Sequence, residues 1–432
     1  MRGSKRLIVS LLPAGLCLIL GSASRSNPIS QDAVQLQKPI QHDVSVVNIE
    51  VPVRVFKGDT FIDHLTIGDF EVFDDGVLQQ IDAVYLIKKT DIKREEAKTG
   101  GAPPVSKPQL SRQFVLFFEM TDYLSELDQT LDYFFDNVIL PGDSLIVITP
   151  MKNYQLRSDA LAKQSKKTVK EQLRAKVRSD IIMGSSEYKN IIDEMYRAMM
   201  SGPGSTVENR QGKPSAAEIK EKLRAYSTLS SRLEGLRRVN EKGLLDFAGV
   251  LKSLPGQKYV YMFYQKETVP QYNFKALLNY MLEDQDDIDL MMRFNDAFLS
   301  FNRDIGFNVE AVKKVYSNSG ITIHFLFLTK TPSVQNPVEY YVDQAVGTEL
   351  TMIEKSEDIY SAFSEVAKAT GGIIDASANA AAAFQRAVNA SENYYLLYFK
   401  PSGKSDGRFH NIVVKVKSGN YRVTHRAGYI AE

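Results

Sequence analysis

The sequence predicts an α/β protein, a doubly wound, mostly parallel sheet inserted in a small β-sandwich formed by N- and C-terminal strands. Three observations predict it. Short runs at 114–118, 145–148, 259–264 and 321–328, apolar at nearly every position, suit strands buried on both faces. Stretches with apolar residues at helical spacing separate them, and strands alternating with helices imply a parallel sheet. Both ends of the chain instead carry the period-two alternation of half-buried strands.

The elements follow in order. Arg2, Lys5 and Arg6 precede an apolar run from Leu7 to Leu20, then small residues Gly21 to Ser24, the three-part pattern of a secretory signal peptide over 1–24. An uncleaved anchor or a lipid on Cys17 are the alternatives; Leu16 before the cysteine argues against the lipid. Residues 25–43 read as a flexible lead-in, and 44–90 as the first part of a β module, with Asp74-Asp75-Gly76 as a hairpin turn. Charge, then Gly100-Gly101 and Pro103-Pro104, make 91–112 a linker. The α/β domain spans 113–390, with a helical insertion at 157–240 whose Gly- and Pro-bearing middle, 201–214, is expected to be mobile. Leu127, Leu131, Phe134 and Val138 mark its first helix; Ile359, Phe363 and Val366 mark a later one, stopped at Gly371-Gly372. Residues 391–432 return to strand texture and are expected to complete the β module.

Composition narrows the function. With 53 basic and 52 acidic residues among 432, the net charge of +1 gives no electrostatic reason to expect a nucleic acid. No segment after the N-terminal run is long and apolar enough to span a bilayer. Cys17 is the only cysteine, so cleavage near Ala23 or Ser24 leaves no disulfide, thiolate site or cysteine nucleophile.

Other chemistry finds little support. His42, His64, His324, His410 and His425 form no close ligand pair; His324, in a buried run, reads as a core residue. A G-x-S-x-G elbow is absent, and Ser201-Gly-Pro-Gly-Ser-Thr206 lacks the lysine of a phosphate loop. The acidic run 283–289 fails as a calcium loop, with Asp289 in place of the turn glycine, and reads as a solvated helix face. The aromatic strings at 259–264 and 394–395 read as core strand pairs.

Five short motifs in order resemble the von Willebrand factor A-related proteins abundant in Acidobacteria. Leu65-Thr-Ile-Gly-Asp-Phe-Glu-Val-Phe-Asp-Asp-Gly76 is similar to that family's L-T-x-x-D-F-x-V-x-E-D-G. Leu254-Pro-Gly-Gln-Lys258 resembles its L-P-G-R-K, and Ala367-Lys-Ala-Thr-Gly-Gly372 its A-x-x-T-G-G. Tyr394-Tyr-Leu-Leu-Tyr398 and Arg426-Ala-Gly-Tyr429 resemble its C-terminal motifs.

The resemblance implies a divalent-cation site where the first buried strand ends, built from a D-x-S-x-S loop, a threonine and an aspartate. Here that loop reads Glu119-Met-Thr121-Asp122-Tyr123; Lys242 aligns with the threonine and Gln265 with the aspartate. Glu119 is one methylene too long and Tyr123 too bulky. The expectation is a degenerate site in which the Lys242 ammonium replaces the cation and pairs with Glu119, with no metal and no cofactor. Asp122 slipping into register as a ligand is the alternative. The resemblance therefore implies a non-catalytic secreted or envelope protein that binds a protein partner through this crevice. A metal-dependent adhesion module using Thr121 and Asp122, and then an envelope hydrolase, are the further alternatives. Partner identity and oligomeric state are not written in the sequence.

Overall fold

The computed structural model describes residues 48–97, 108, 110–157, 159, 163–200, 215–272, 287–299, 307–329, 350–354, 356–401 and 406–431. The signal-peptide and lead-in assignments, half of the linker and the 201–214 segment lie outside the described residues.

The β module comprises β1 (Ile49–Lys57), β2 (Thr60–Phe61), β3 (Phe70–Asp74), β4 (Val77–Gln79), β5 (Ile81–Lys88) and β6 (Asp91–Ala97). The α/β region runs through β7 (Arg112–Glu119), α1 (Glu126–Tyr133), β8 (Ser144–Ile148), β9 (Asn153–Leu156), α2 (Lys166–Gly184), α3 (Ser186–Met200), α4 (Ala216–Arg237) and α5 (Glu241–Ser253). It continues with β10 (Gln257–Gln265), β11 (Thr268–Tyr272), α6 (Ile288–Leu299), α7 (Val309–Asn318), β12 (Ile321–Leu328), β13 (Leu350–Glu354), α8 (Glu357–Ala369), β14 (Ile374–Ser377) and α9 (Ala380–Glu392). The chain closes with β15 (Asn393–Phe399), β16 (Phe409–Val416), β17 (Arg422–His425) and β18 (Gly428–Ile430).

The α/β sheet has the order β14-β12-β10-β7-β8-β9, parallel except for β9. Its runs are apolar because both faces are covered. On one face α1, α2 and α9 pack through Leu131, Leu173 and Phe384 onto Phe118 and Phe263. On the other, α5, α7 and α8 bring Phe247, Val312 and Phe363 against Met262 and Phe325. Helix starts are fixed locally: Asn240, Asn308 and Asn379 each cap a helix by accepting a backbone N–H at 2.9–3.0 Å. Ser215 and Glu218 form a reciprocal capping box at the start of α4. The helical insertion has its own core, in which Ile191 and Met195 of α3 meet Leu223 and Tyr226 of α4 and Leu290 of α6.

Antiparallel sheets combine strands from the two ends of the chain. In one, β15 lies between β1 and β5, with Val51 opposite Leu397 and Val84 opposite the same residue on the other side. In the other, β16 pairs with β3. Val53, Leu86 and Leu397 of the first sheet bury against Val72, Ile412 and Val414 of the second, which makes a sandwich. Residues 91–97, assigned to the linker for their charge, instead form β6 and pair with β5. Asp91, Lys93, Glu95 and Ala97 are exposed in strict alternation, and charge of this kind protects a sheet edge from further pairing.

The sandwich packs under the N-terminal ends of the parallel strands. Gln257, the first residue of β10, donates from Nε2 to Glu50 Oε1 at 2.9 Å. Arg54 of β1 donates to the Gly371 carbonyl at 3.2 Å, and Ile430 N donates to Asn318 Oδ1 at 2.7 Å. Burial raises the Glu50 carboxyl, while the Arg426 charge opposes that rise. The L-P-G-Q-K and R-x-G-Y motifs thus meet at one junction.

His324 is fully buried: Nε2 lies 2.8 Å from Ser391 Oγ, Nδ1 accepts from Ile373 N at 3.3 Å, and the ring stacks on Tyr261. Burial holds His324 well below 6.5 and also lowers His425. Above 6.5 both are neutral folded or unfolded and contribute no pH dependence. As pH falls below that value the unfolded chain takes up protons the folded chain refuses. Stability should therefore drop by up to about 1.4 kcal/mol per pH unit for each histidine. Denaturant unfolding between pH 7 and pH 5 measures it, and His324→Gln should flatten the slope; an unchanged slope would count against His324 as a source.

Candidate functional site

Counted from β7, the strand order is 3-2-1-4-5-6, and it reverses between β7 and β10. In open α/β sheets the crevice lies at that reversal, beyond the C-terminal ends of the strands. Glu119, Thr121, Asp122 and Tyr123 leave the end of β7, and Gln265 ends β10 beside them.

Gln265 is the centre of the arrangement. It is 1% exposed, and its Oε1 accepts from Thr121 N at 3.1 Å, Thr121 Oγ1 at 3.3 Å and Asp122 N at 2.8 Å. Three donors on one oxygen fix the amide's orientation, since a flipped Nε2 would face N–H groups. Nε2 itself is buried without a hydrogen-bond partner, a cost of about 1–3 kcal/mol for a polar group held from water. Asp122 pairs with the Lys189 ammonium of α3 at 2.9 Å. Tyr123 turns down, donating to Asp128 Oδ1 at 2.7 Å under the Arg178 guanidinium.

The expected Glu119–Lys242 pair is not made. Asn240, Gly243 and Phe247 form the inward row of α5, so Lys242 projects from the opposite side. Its side chain is 83% exposed and meets Asp246, one turn on, at 2.5 Å. Glu119 instead lines a cavity of ≈ 90 Å³ between the sheet and α5 and α8, with Phe117, Met262, Phe247 and Phe363 among its apolar walls. Tyr264, Glu267 and Arg237 supply polar groups to the same cavity. Arg237, at the C-terminal end of α4, forms an ion pair with Glu267, and Tyr264 Oη donates to Glu267 Oε1 at 3.0 Å. Burial raises the Tyr264 phenol, keeping it a neutral donor.

Of the sequence-assigned residues, the structure brings Thr121, Asp122 and Gln265 into one hydrogen-bonded group. It sends Tyr123 into the α1 side, Glu119 into the cavity and Lys242 to solvent. Lys189, Arg237 and Glu267 were not singled out. Only Arg237 carried a local signal, a cation in the last turn of a helix.

No protein-family model matches this chain, and no curated protein matches it. Among solved structures, the human COPII-coat protein Sec24c is similar over 74% of this chain and 43% of that one, at 7% identity and a TM-score of 0.26. The class the fold defines is an α/β protein with a mostly parallel mixed sheet and antiparallel sheets drawing on both ends of the chain. No helix among the described residues is long and apolar enough to cross a membrane.

Proposed function

We propose that this chain is a secreted or envelope protein of the von Willebrand factor A-related kind. In this reading it binds a protein partner through the β7–β10 crevice without a metal ion and without catalysis. What supports it is that the Gln265 amide and the Lys189 ammonium sit at the β7 loop, where the resemblance implies a cation. A metal would hold the β7 loop through oxygen ligands; here the Gln265 amide holds the loop's N–H groups, and the Lys189 ammonium neutralises Asp122. An amide oxygen already accepting three donors is a poor cation ligand, and an ammonium beside the loop repels a second positive charge. Lys189, and not the solvent-facing Lys242, is thus the amine beside the β7 loop.

Millimolar Mg²⁺ or Ca²⁺ should then leave the melting temperature unchanged. A rise that disappears in Asp122→Asn would instead establish the metal-dependent alternative. For binding, a partner crosslinked to the native protein should be lost with Lys189→Glu while the melting temperature stays within a few degrees. That expectation rests on the part-exposed Asp122–Lys189 pair contributing only about 0–1 kcal/mol. Retention of every crosslinked partner by Lys189→Glu and by Asp122→Lys would remove the crevice from the reading.

A further inference from the structure

Far from the crevice, the β3–β4 turn meets the start of β16. Asp74, Asp75 and His410 there each offer a ligand atom, all within 4.8 Å of one another, the one such group among the described residues. We propose that these three residues form a divalent-cation site of the Zn²⁺ class.

His410 Nδ1 lies 3.0 Å from Asp75 Oδ2 and 3.8 Å from Asp74 Oδ1. Ligands about 2.0–2.2 Å from a shared ion stand roughly 3–3.5 Å apart, so His410 and Asp75 stand at ligand spacing and Asp74 moves closer to complete the set. Asp74 is 6% exposed, and its Oδ1 is buried without a hydrogen-bond partner. An unpartnered carboxylate oxygen costs free energy unless a cation or donor reaches it. That oxygen is the one nearer the imidazole.

The atoms not offered to the ion are each held. Asp74 Oδ2 accepts from Tyr429 Oη at 2.8 Å, and Asp75 Oδ1 accepts from Asn411 N at 2.8 Å. His410 Nε2 lies 3.1 Å from Asp406 Oδ1, the carboxylate–imidazole arrangement that leaves Nδ1 with its lone pair toward a metal. The ring is fixed by stacking on Tyr429 at 5.3 Å. Asp75 sits at φ 47° and Gly76 at φ 82°, a turn that aspartate and glycine tolerate and that sets Asp75 over β16. One imidazole with two carboxylates favours a first-row divalent ion over Ca²⁺, which takes 6–8 oxygens. Three protein ligands leave a position open to solvent, since Asp75 is exposed. Bound there, the ion ties the β3–β4 turn to a strand more than 300 residues later.

The test is calorimetric titration of Zn²⁺ into the untagged full chain on a Cys17→Ser background, which removes the thiol. One Zn²⁺ per chain should bind and raise the melting temperature, while Asp122→Asn binds equally. Asp75→Asn, which keeps the turn, and His410→Gln should each lower affinity at least about tenfold, and Asp406→Asn about 10–100-fold. Circular dichroism checks that each variant is folded. Co²⁺ in place of Zn²⁺ should give visible absorption that His410→Gln abolishes. Absent stoichiometric binding, equal binding by folded Asp75→Asn and His410→Gln, or Ca²⁺ binding as tight as Zn²⁺ would overturn the site; the first result would mean that a proton on His410 serves the carboxylates instead.

Discussion

Arg112→Met should lower the unfolding free energy by about 3–5 kcal/mol, because it strands a buried carboxylate. Arg112 opens β7, and its guanidinium grips Asp143 with a fork: Nη2 to Oδ2 at 2.6 Å and Nε to Oδ1 at 3.1 Å. Nη2 also donates to the Val138 carbonyl at 2.8 Å. Both side chains are about 95% buried. Asp143 Oδ2 further accepts from Leu140 N at 2.7 Å, so one carboxylate closes the turn between α1 and β8 while it holds the first strand. Lysine presents no fork, so Arg112→Lys should recover little. Removing both charges, as Arg112→Met with Asp143→Leu, should recover much of the loss and leave mainly the Leu140 N–H and the Val138 carbonyl without these partners. Urea unfolding reads all three, and a loss under about 1 kcal/mol for Arg112→Met would show that the pair is solvated.

Gly372→Ala should cost more than about 3 kcal/mol, beyond the usual range for overpacking. A Cβ at Gly372 would stand 1.7 Å from the Ile323 carbonyl oxygen, and the backbone of β12 cannot step aside without breaking the central sheet. The preceding Gly371 ends α8 at φ 73°, the left-handed stop that glycine supplies. The same substitution at Gly235, inside α4 with nothing near its added carbon, should stabilise by about 0.5–1 kcal/mol. Thermal unfolding of the two variants side by side checks both signs; a Gly372→Ala protein as stable as the parent would show that β12 and β14 separate easily.

The legible parts of the fold were those with one dominant physical cause. Phe114 to Phe118 is apolar at every position, and Ile321 to Leu328 is apolar at all but Thr322 and His324, because helices cover both faces, and that is visible in any window. Thr370-Gly371-Gly372 was legible as a helix stop, although the closeness of β12 to Gly372 was not. β6 escaped because an edge strand needs only one partner and can be charged throughout. Lys242 was misplaced by helix phase: the inward row of α5 holds Asn240, Gly243 and Phe247, and one residue of register separates a crevice group from a solvent group. Lys189 and Glu267 could not be found in sequence, since a helical insertion with its own core carries the first of them to the β7 loop.

The position of β15 has a consequence for how the chain is made. β1 and β5 do not touch in the sheet; each pairs with β15, which is synthesised about 300 residues after β5 ends. At about 5–20 residues per second, the ribosome needs roughly 15–60 s to supply it. Throughout that interval the edge of β1 that holds Val51 and Val53, and the edge of β5 that holds Val84 and Leu86, have no strand to pair with. Whatever guards the nascent chain must guard these edges for all of that time, and the other edge of β1 until β17 follows, so the sandwich closes only after the whole inserted domain has been made.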